Sequence, residues 1–554
     1  MPPPVSPTGP PASRPLIPPV RVWITLSSLA AAVLLVRAGL LEAVAGEIVD
    51  RAVRNIITLI LCFSGLVSLV VWFLRESGHA RATKRVVGYG LVVAIAAGVA
   101  LFRIERVSGD LVPELRLRWM PARDRMLPPA QVAAAATVAG SWEPTERDFA
   151  RFLGPTGSAS LSGPGLDPDW ESHPPREAWR TVIGAGWSGF AICGDHAVTL
   201  EQRGEEELIT CRSVENGSLE WAVPIRGRHE TVLGGVGPRS TPTIRDGIVY
   251  ATGATGWLHA IDGSSGSVLW KKNVVSDLGL DPVAHAEAVT WGRAGSPLVT
   301  AELVIVPGGG PFLRPEGRSA GSLVAYARAD GSRRWTAGGD QISYVTPQIV
   351  TIGGRELVLT VNESRVAAYD LVAGEELWGF DWPGHSNSDA TCSQPHVLPG
   401  DRIFISKGYG IGAGLFAAEE GGGEPVFRSV WRQSGLLKTK FTNVTIYEGH
   451  AYGLSDGILE CVRLEDGRRQ WKGGRYGQGQ VLRVGEWLLV QAEAGDVVLV
   501  DCVPDKHRER ARFAALDGQT WNTLALSGAR LLVRNAEEAA CFILPLREPG
   551  EATP

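Results

Sequence analysis

Apolar and polar residues alternate with a period of two through most of the last four hundred residues, and turn-forming pairs interrupt the alternation. One unit contains Ile248-Val249-Tyr250 directly after the pair Asp246-Gly247, and Thr255-Gly256 follows. Such alternation predicts half-buried β-strands, and Asp-Gly pairs favour tight hairpin turns. The pattern therefore predicts a long series of short antiparallel strands.

Each unit ends in the same short sequence, with a small residue ten positions before a tryptophan and a glycine four positions before it. The clearest copy is Ala260, Gly266 and Trp270. Further copies are Cys211-Gly217-Trp221, Ala325-Gly331-Trp335, Ala368-Gly374-Trp378 and Cys461-Gly467-Trp471. The closing aromatics after Trp179 follow at 42, 49, 65, 43, 53, 40 and 42 residues. A repeat of roughly 40–45 residues with four strands predicts β-propeller blades.

Counting the aromatic residues that end each unit gives seven blades. Trp431 ends a degenerate copy of the repeat, and Phe513 takes the place of the tryptophan in the seventh copy. Residues 521–546 provide three more strands, and residues 176–179 provide an isolated fourth strand. Joining them makes an eighth blade and leaves no exposed sheet edge. We predict an all-β, eight-bladed propeller of four-stranded antiparallel blades. Seven blades with a spare hairpin is the alternative.

The N-terminal quarter is apolar and predicts an α-helical transmembrane region of about three spans. Residues 55–74 contain no charge and are long enough to cross a bilayer core of roughly 30 Å. Residues 86–102 form a second charge-free stretch, and residues 22–36 form a third. For the stretch at 22–36, an interfacial helix is the alternative.

Charge is distributed unevenly along the chain. The net charge is −5, but residues 1–130 carry 15 Lys or Arg and 8 Asp or Glu. The basic loop 75–85 predicts a cytoplasmic location for that loop. We expect a bacterial cytoplasmic (inner) membrane protein with an extracytoplasmic propeller, although Arg103, Arg106, Arg116 and Arg118 argue for the opposite orientation. The expected order is a Pro-rich cytoplasmic tail (1–20), a membrane region (21–104), a spacer (105–148) with an Ala-rich helix at 130–139, and the propeller (149–550).

The seven cysteines do not pair by spacing. Cys62 falls in a predicted span, and Cys211 and Cys461 occupy the small-residue position of the repeat. Cys502 and Cys541 fall at or next to that position. Equivalent positions on different blades are too far apart for a disulfide, so we interpret these four as small buried apolar residues.

The Ala-x-Asp-x-x-x-Gly-x-x-x-Trp unit resembles the tryptophan-docking repeat of pyrroloquinoline-quinone (PQQ)-like β-propellers. Phe152-Leu153-Gly154-Pro155 is similar to the Phe-Arg-Gly-Pro start of membrane-tethered bacterial members, with Leu153 in place of arginine. The resemblance covers residues 149–546. It implies either a quinoprotein dehydrogenase with PQQ and calcium, or a cofactor-free scaffold such as the propeller lipoprotein of the outer-membrane β-barrel assembly machinery.

The channel ends of the innermost strands are the expected binding site, because ligands of propellers meet residues from several blades there. Alignment with Pro238-Arg239 gives the candidates Trp187, Arg239, Arg293, Tyr344, Lys440, Gln478 and Trp521, with Thr391, Cys392 and Phe441 beside them. This set contains cations, amides and aromatic rings but no carboxylate. A cationic mouth suits an anionic ligand or an acidic peptide. His285-Ala286-Glu287 is interpreted as a solvated loop, because a metal site needs more ligands.

These features predict a membrane-anchored, non-catalytic module that binds a protein or an envelope ligand. The alternatives are a PQQ-dependent dehydrogenase for alcohols or sugars and a sensor of a small anionic metabolite. We expect no cofactor and no metal, because no residues match the calcium ligands or the base of a quinoprotein. No basic footprint for nucleic acid is present in the sequence.

Overall fold

A computed structural model of the chain describes residues 14–40, 51–128, 130, 140–310, 321–419 and 425–547. The chain divides into two compact units, Met1–Met120 and Pro121–Pro554. Most of the predicted Pro-rich tail and of the predicted Ala-rich helix lies outside the described residues, as do residues 311–320 and 420–424.

The first unit contains three helices long and apolar enough to cross a membrane. They are α1 (Val20–Arg37), α2 (Arg51–Arg75) and α3 (Arg81–Leu101). Their apolar side chains are largely exposed, as with Phe63 at 67% and Val86 at 71%, which is typical of helices that face lipid. A hairpin of β1 (Phe102–Val107) and β2 (Pro113–Leu117) follows α3 without a gap.

The second unit is a ring of eight antiparallel sheets, so the predicted eight-bladed propeller is confirmed. Blades 1 to 4 comprise β5 (Ala191–Cys193), β6 (His196–Arg203), β7 (Glu206–Ser213) and β8 (Leu219–Arg226); β11 (Thr243–Arg245), β12 (Ile248–Thr252), β13 (Trp257–Asp262) and β14 (Val268–Asn273); β15 (Leu298–Val299), β16 (Leu303–Pro307), β17 (Leu323–Ala327) and β18 (Arg333–Ala337); and β19 (Gln348–Ile352), β20 (Arg355–Val361), β21 (Arg365–Asp370) and β22 (Glu376–Asp381).

Blades 5 to 8 continue the ring. They comprise β23 (His396–Leu398), β24 (Arg402–Lys407), β25 (Gly412–Ala418) and β26 (Phe427–Gln433); β27 (Val444–Tyr447), β28 (His450–Ser455), β29 (Ile458–Arg463) and β30 (Arg469–Arg475); β31 (Gln480–Val484), β32 (Trp487–Gln491), β33 (Asp496–Asp501) and β34 (Glu509–Ala514); and β35 (Ala525–Ser527), β36 (Arg530–Arg534) and β37 (Glu538–Ile543), joined by β4 (Arg176–Val182). First strands of neighbouring blades contact one another, as β5 does with both β11 and β35, so the first strand of each blade is innermost.

Strands from the two ends of the propeller sequence close the ring, as the leftover fragments predict. β4 is the outer strand of blade 8 and pairs antiparallel with β37, with Trp179 opposite Cys541. The short strand β3 (Ser160–Leu161) adds a parallel fifth strand beside β31 of blade 7. Closure therefore depends on residues that are more than three hundred positions apart.

The repeat exists because the tryptophan of one blade packs on the glycine of the next. Gly331 has a φ of +70°, and a Cβ atom there would lie 2.7 Å from the Trp270 ring. The Trp270 indole also donates to the Arg328 carbonyl at 2.9 Å. Within its own blade, Trp270 lies opposite Ala260. Only glycine tolerates both the positive φ and the close contact with the indole ring. The regular spacing of Ala, Gly and Trp in the sequence therefore results from contacts within and between blades.

Phe513 does not replace the tryptophan in blade 7, contrary to the sequence interpretation. The bulge that sets the repeat register falls after Leu499, which pairs with Ala511, so Ala511 occupies the tryptophan position. Phe513 lies two residues further on and packs against Phe542 and Trp170. Cys502 likewise lies beyond the small-residue position, which Leu499 fills.

Two further short helices and a small hairpin interrupt the repeats between blades. The hairpin consists of β9 (Glu230–Thr231) and β10 (Gly235–Val236), and the helices are α4 (Val274–Asp277) and α5 (Pro282–Ala288). Residues 285–287 lie in α5 and not in the expected solvated loop, and His285 is buried, whereas Ala286 and Glu287 are exposed. Asp281 caps this helix by accepting from the Ala284 amide.

Candidate functional site

A ring of hydrogen bonds joins all eight blades at the starts of their innermost strands, and we call it the axial belt. Its contacts are Gly189 N to Thr241 Oγ1 (3.2 Å), Thr241 N to Ser296 Oγ (2.9 Å), Ser296 N to Thr346 Oγ1 (3.0 Å), Gln348 to Gln394 through their side-chain amides (2.8 Å), Gln394 N to Asn443 Oδ1 (3.0 Å), Gln480 Nε2 to the carbonyls of Phe441 (3.1 Å) and Trp521 (3.0 Å), and Asn522 Nδ2 to the Ser188 carbonyl (2.8 Å). Buried polar groups need such partners, so the belt fixes the blades relative to one another.

Trp187, Trp521 and Phe441 form an aromatic cluster next to the axial belt. The ring centroids of Trp187 and Trp521 are 4.8 Å apart, and those of Phe441 and Trp521 are 4.6 Å apart. These are the separations of aromatic rings in direct contact. All three rings are half-buried, so the cluster presents an apolar surface and leaves no slot between its rings.

Arg239 is next to this cluster and is used to hold the backbone. Its guanidinium donates to the carbonyls of Gly237 (2.6 Å) and Gly234 (2.6 Å). The Trp187 indole donates to the same Gly234 oxygen at 2.7 Å. Burial lowers the pKa of Arg239 to about 10, an effect that Tyr344 and Glu207 partly oppose. The side chain remains a cation, but carbonyl oxygens occupy its donors.

Arg293 is buried and is likewise used internally. It donates to the Gly308 carbonyl at 2.7 Å, to the Pro307 carbonyl, and to Nε2 of His285 at 3.1 Å. Burial, with the nearby Arg293 charge, lowers the pKa of His285 to about 3, so this imidazole is neutral and accepts the bond. Arg293 therefore fixes α5 and the start of the long loop of blade 3.

Tyr344 and Lys440 are also engaged by neighbours. The Tyr344 hydroxyl donates to the Ser386 carbonyl at 2.6 Å and accepts from the Trp291 amide at 3.2 Å. Lys440 is 6% exposed, and its Nζ lies 3.5 Å from a carboxylate oxygen of Asp456. Neither residue presents an unengaged charge to a ligand.

A carboxylate that the sequence reasoning missed joins two of the candidates. The Glu493 carboxylate accepts a hydrogen bond from the Trp521 indole at 3.0 Å and another from the backbone N–H of Gln478 at 2.9 Å. It follows β32 in blade 7, in a loop with no period to mark it. The buried side-chain amide of Gln478 has no hydrogen-bond partner among the described residues.

The residues at this site do not fit PQQ. A bound quinone needs a flat slot and oxygen ligands for a calcium ion, yet the rings of Trp187, Trp521 and Phe441 contact one another. Arg239 holds carbonyl oxygens, and Glu493 holds an indole and an amide. The charged groups beside the aromatic cluster, Arg239 and Glu493, are thus already paired within the protein.

The β9–β10 hairpin is a second feature that the sequence did not reveal. Its tip carries Val232 and Leu233, which are 58% and 47% exposed. Gly234, next along the chain, accepts from both Trp187 and Arg239. A Cβ on Gly234 would lie 3.0 Å from the Trp291 ring. The hairpin is thus clamped beside the aromatic cluster with two aliphatic side chains in solvent.

His196, Cys211 and Glu220 in blade 1 form a buried cluster of three residue types that bind metals. Glu220 Oε2 lies 2.8 Å from His196 Nδ1 and accepts from the Cys211 thiol at 3.2 Å. The Trp142 ring stacks on His196 with centroids 4.3 Å apart. Structural zinc sites use four ligands, and the hydrogen bonds already account for this grouping.

Known proteins match the chain along the propeller. A family model described as outer membrane protein assembly factor BamB matches residues 205–473 and 362–530. The BamB protein of Yersinia pestis is 21% identical over 429 residues, which cover 74% of this chain and 96% of that protein. The BamB protein of Escherichia coli (strain K12) is 24% identical over 373 residues, which cover 58% of this chain and 88% of that protein.

A solved structure is also similar to the chain. The crystal structure of BamB from Moraxella catarrhalis is 14% identical, with a TM-score of 0.48, and the match covers 67% of this chain and all of that one. The ranges matched by the family model cover more than half of this chain. The chain therefore belongs to the PQQ-like β-propeller family that is described as outer membrane protein assembly factor BamB.

Proposed function

We propose that the chain is a membrane-anchored, non-catalytic scaffold that binds a protein partner through the hairpin β9–β10 and the aromatic cluster beside it. The observation that carries this proposal is the exposure of Val232 and Leu233 on a hairpin held in place by Arg239 and Trp187. Exposed apolar side chains grouped on a fixed support mark a surface that a protein partner can cover.

Rigidity strengthens this interpretation, because ordering a mobile loop on binding costs free energy that a fixed hairpin does not lose. Trp187, Trp291 and Trp521 are half-buried around the hairpin and supply the large flat area that interface centres favour. The pairing of Arg239 and Arg293 with carbonyl oxygens argues against a small anion as the ligand.

The relatives are described as outer membrane protein assembly factors, a description that agrees with a protein as the partner. We place the propeller on the extracytoplasmic side of the inner membrane, on the basis of the basic loop between α2 and α3. In that location the partner is an envelope protein, and the three helices keep the scaffold at the membrane surface.

The test is photo-crosslinking from the hairpin in intact cells. A photoreactive amino acid at Leu233 is expected to give one saturable crosslinked band, and the same group at Val372 is the control. Val372 is 81% exposed but lies in the turn between β21 and β22 of blade 4. The substitution Val232→Asp is expected to remove the band without changing the melting temperature, because an exposed tip contributes little to stability.

Equal crosslinking from Leu233 and Val372, or a band that Val232→Asp leaves unchanged, would rule out this surface. Titration of the purified protein with PQQ and Ca²⁺ tests the quinoprotein alternative directly. We expect no binding heat and no quenching of tryptophan fluorescence, whereas micromolar binding lost in Arg239→Ala would overturn the scaffold proposal.

A further inference from the structure

The β1–β2 hairpin of the first unit separates apolar and charged residues onto opposite faces. Phe102 lies opposite Leu117, and Ile104 lies opposite Leu115, so these four apolar side chains share one face. Phe102, Ile104 and Leu115 are 40%, 48% and 61% exposed. A two-stranded ribbon in water does not keep such a face exposed without a covering surface.

A β-bulge preserves this separation. The register shifts between Ile104 and Arg106, so Glu105 is the extra residue and Arg106 pairs with Glu114. Because side chains alternate along a strand, the shift places Arg106 on the face of Arg103 and not among the apolar residues. Without the bulge, an arginine would interrupt the apolar face.

The charged face carries three arginines and two glutamates, which pair with one another within the hairpin. Glu105 contacts Arg103 at 2.9 Å and Arg116 at 3.0 Å, and Glu114 contacts Arg106 at 2.5 Å. These pairs leave little basic charge to attract anionic lipids, so an attraction between this hairpin and a membrane would depend on the apolar face.

The hairpin is attached firmly to the end of a candidate membrane span. β1 begins at Phe102, the residue after the last residue of α3. The Arg118 side chain donates to the carbonyls of Val99 (2.8 Å) and Phe102 (3.0 Å) and so caps the helix. Its backbone amide donates to the Leu101 carbonyl at 2.8 Å. The ribbon therefore has a fixed position at the depth where α3 leaves the hydrocarbon core.

We propose that this hairpin is an interfacial membrane anchor, with the face of Phe102, Ile104, Leu115 and Leu117 lying in the boundary between lipid headgroups and acyl chains. The occupant of the face is lipid, because the face continues directly from a helix whose exposed side chains are apolar. Trp119, which is 63% exposed just beyond β2, has the side chain that membrane interfaces favour. The arginine–glutamate face is turned toward water.

Spin labels on adjacent residues test the proposal in the full-length protein reconstituted in bilayers. Leu115→Cys reports the apolar face, and Glu114→Cys, one residue away on the other face, is the matched control; both carry Cys62→Ser. The unsubstituted protein labelled at Cys62, exposed in α2, is the reference for a lipid-facing position. Power saturation with oxygen and with a water-soluble nickel chelate compares lipid with water exposure at each label.

We expect a several-fold higher ratio of oxygen to nickel accessibility at Leu115 than at Glu114, equal in zwitterionic bilayers and in bilayers with added anionic lipid. Equal ratios at Leu115 and Glu114, or a difference that appears only with anionic lipid, would overturn the proposal. Low accessibility of Leu115 to both reagents would mean that protein covers the face, and that result also overturns it. A lipid-exposed label at Cys62 of the unsubstituted protein, reconstituted in parallel, separates these outcomes from failed membrane insertion.

Discussion

The contact between Gly331 and Trp270 gives a sharp test of why the blades repeat. Gly331→Ala forces a residue with a Cβ into a φ of +70°, which costs roughly 1–2 kcal/mol. The new methyl group would also lie 2.7 Å from the indole ring. Overpacking of this kind costs about 1–3 kcal/mol, so the expected total is about 2–5 kcal/mol.

Gly449→Ala is the matched control, because Gly449 has a φ of +75° and nothing within 4 Å of its added Cβ. Only the backbone cost of roughly 1–2 kcal/mol applies there. Urea unfolding followed by circular dichroism measures both variants. A double-mutant cycle with Trp270→Ala isolates the contact, since without the indole Gly331→Ala should cost no more than Gly449→Ala. Equal losses in the two single variants would refute the docking explanation.

Three further predictions concern buried polar groups. Arg534→Met removes the hydrogen bonds to Thr199 Oγ1 and to the carbonyls of Leu200 and Gly184, which link blade 8 to blade 1. The variant should lower the free energy of unfolding, measured by urea titration, by about 2–5 kcal/mol. A loss below about 1 kcal/mol would contradict this role of Arg534. Burial raises the pKa of Glu207 from 4.5 to about 7, so its contribution to the free energy of unfolding is present below pH 4.5 and is lost as the pH rises to 7. Glu207→Gln should remove this fall in stability between pH 4.5 and 7. Parallel stability profiles of the variant and the unsubstituted protein over that pH range would show that Glu207 does not cause it. Gln480→Glu replaces a donor by a carboxylate that faces the carbonyl oxygens of Phe441 and Trp521. The substitution should lower the melting temperature at pH 8 more than at pH 4, because a protonated carboxyl group can donate a hydrogen bond. Equal shifts at the two pH values would argue against a stabilising role of the axial belt.

Sequence patterns predicted the features that depend on contacts repeated in every blade. Ala260, Gly266 and Trp270 could be recognised because each residue type is required by a neighbour at a fixed position in the next strand or blade. The position of Ala511 could not, because Ala511 follows its partner Leu499 by twelve residues, whereas Trp270 follows Ala260 by ten, and no aromatic residue marks the position. A closing aromatic two residues away then resembled the missing tryptophan.

Several candidate site residues lie close together, as the alignment expects, but their role as a ligand-binding site stays a prediction. The structure brings together Trp187, Arg239 and Trp521 near the starts of the innermost strands. Arg239, however, donates its hydrogen bonds to backbone carbonyl oxygens, which no sequence pattern specifies. The β9–β10 hairpin escaped prediction because two-residue strands have no period. The helix around His285 could have been found, since Asp281-Pro282 is an N-cap followed by a proline in the first turn.

The closure of blade 8 has a consequence for how the protein is made. β4 pairs with β37, so the ribosome must synthesise all seven intervening blades before these two strands can pair. Until then the growing chain has an open ring with unpaired edges, which are prone to wrong partners. A nonsense mutation before residue 538 would therefore abolish the whole ring and not merely its last blade. The folding of this domain is therefore completed only after β37 has left the ribosome.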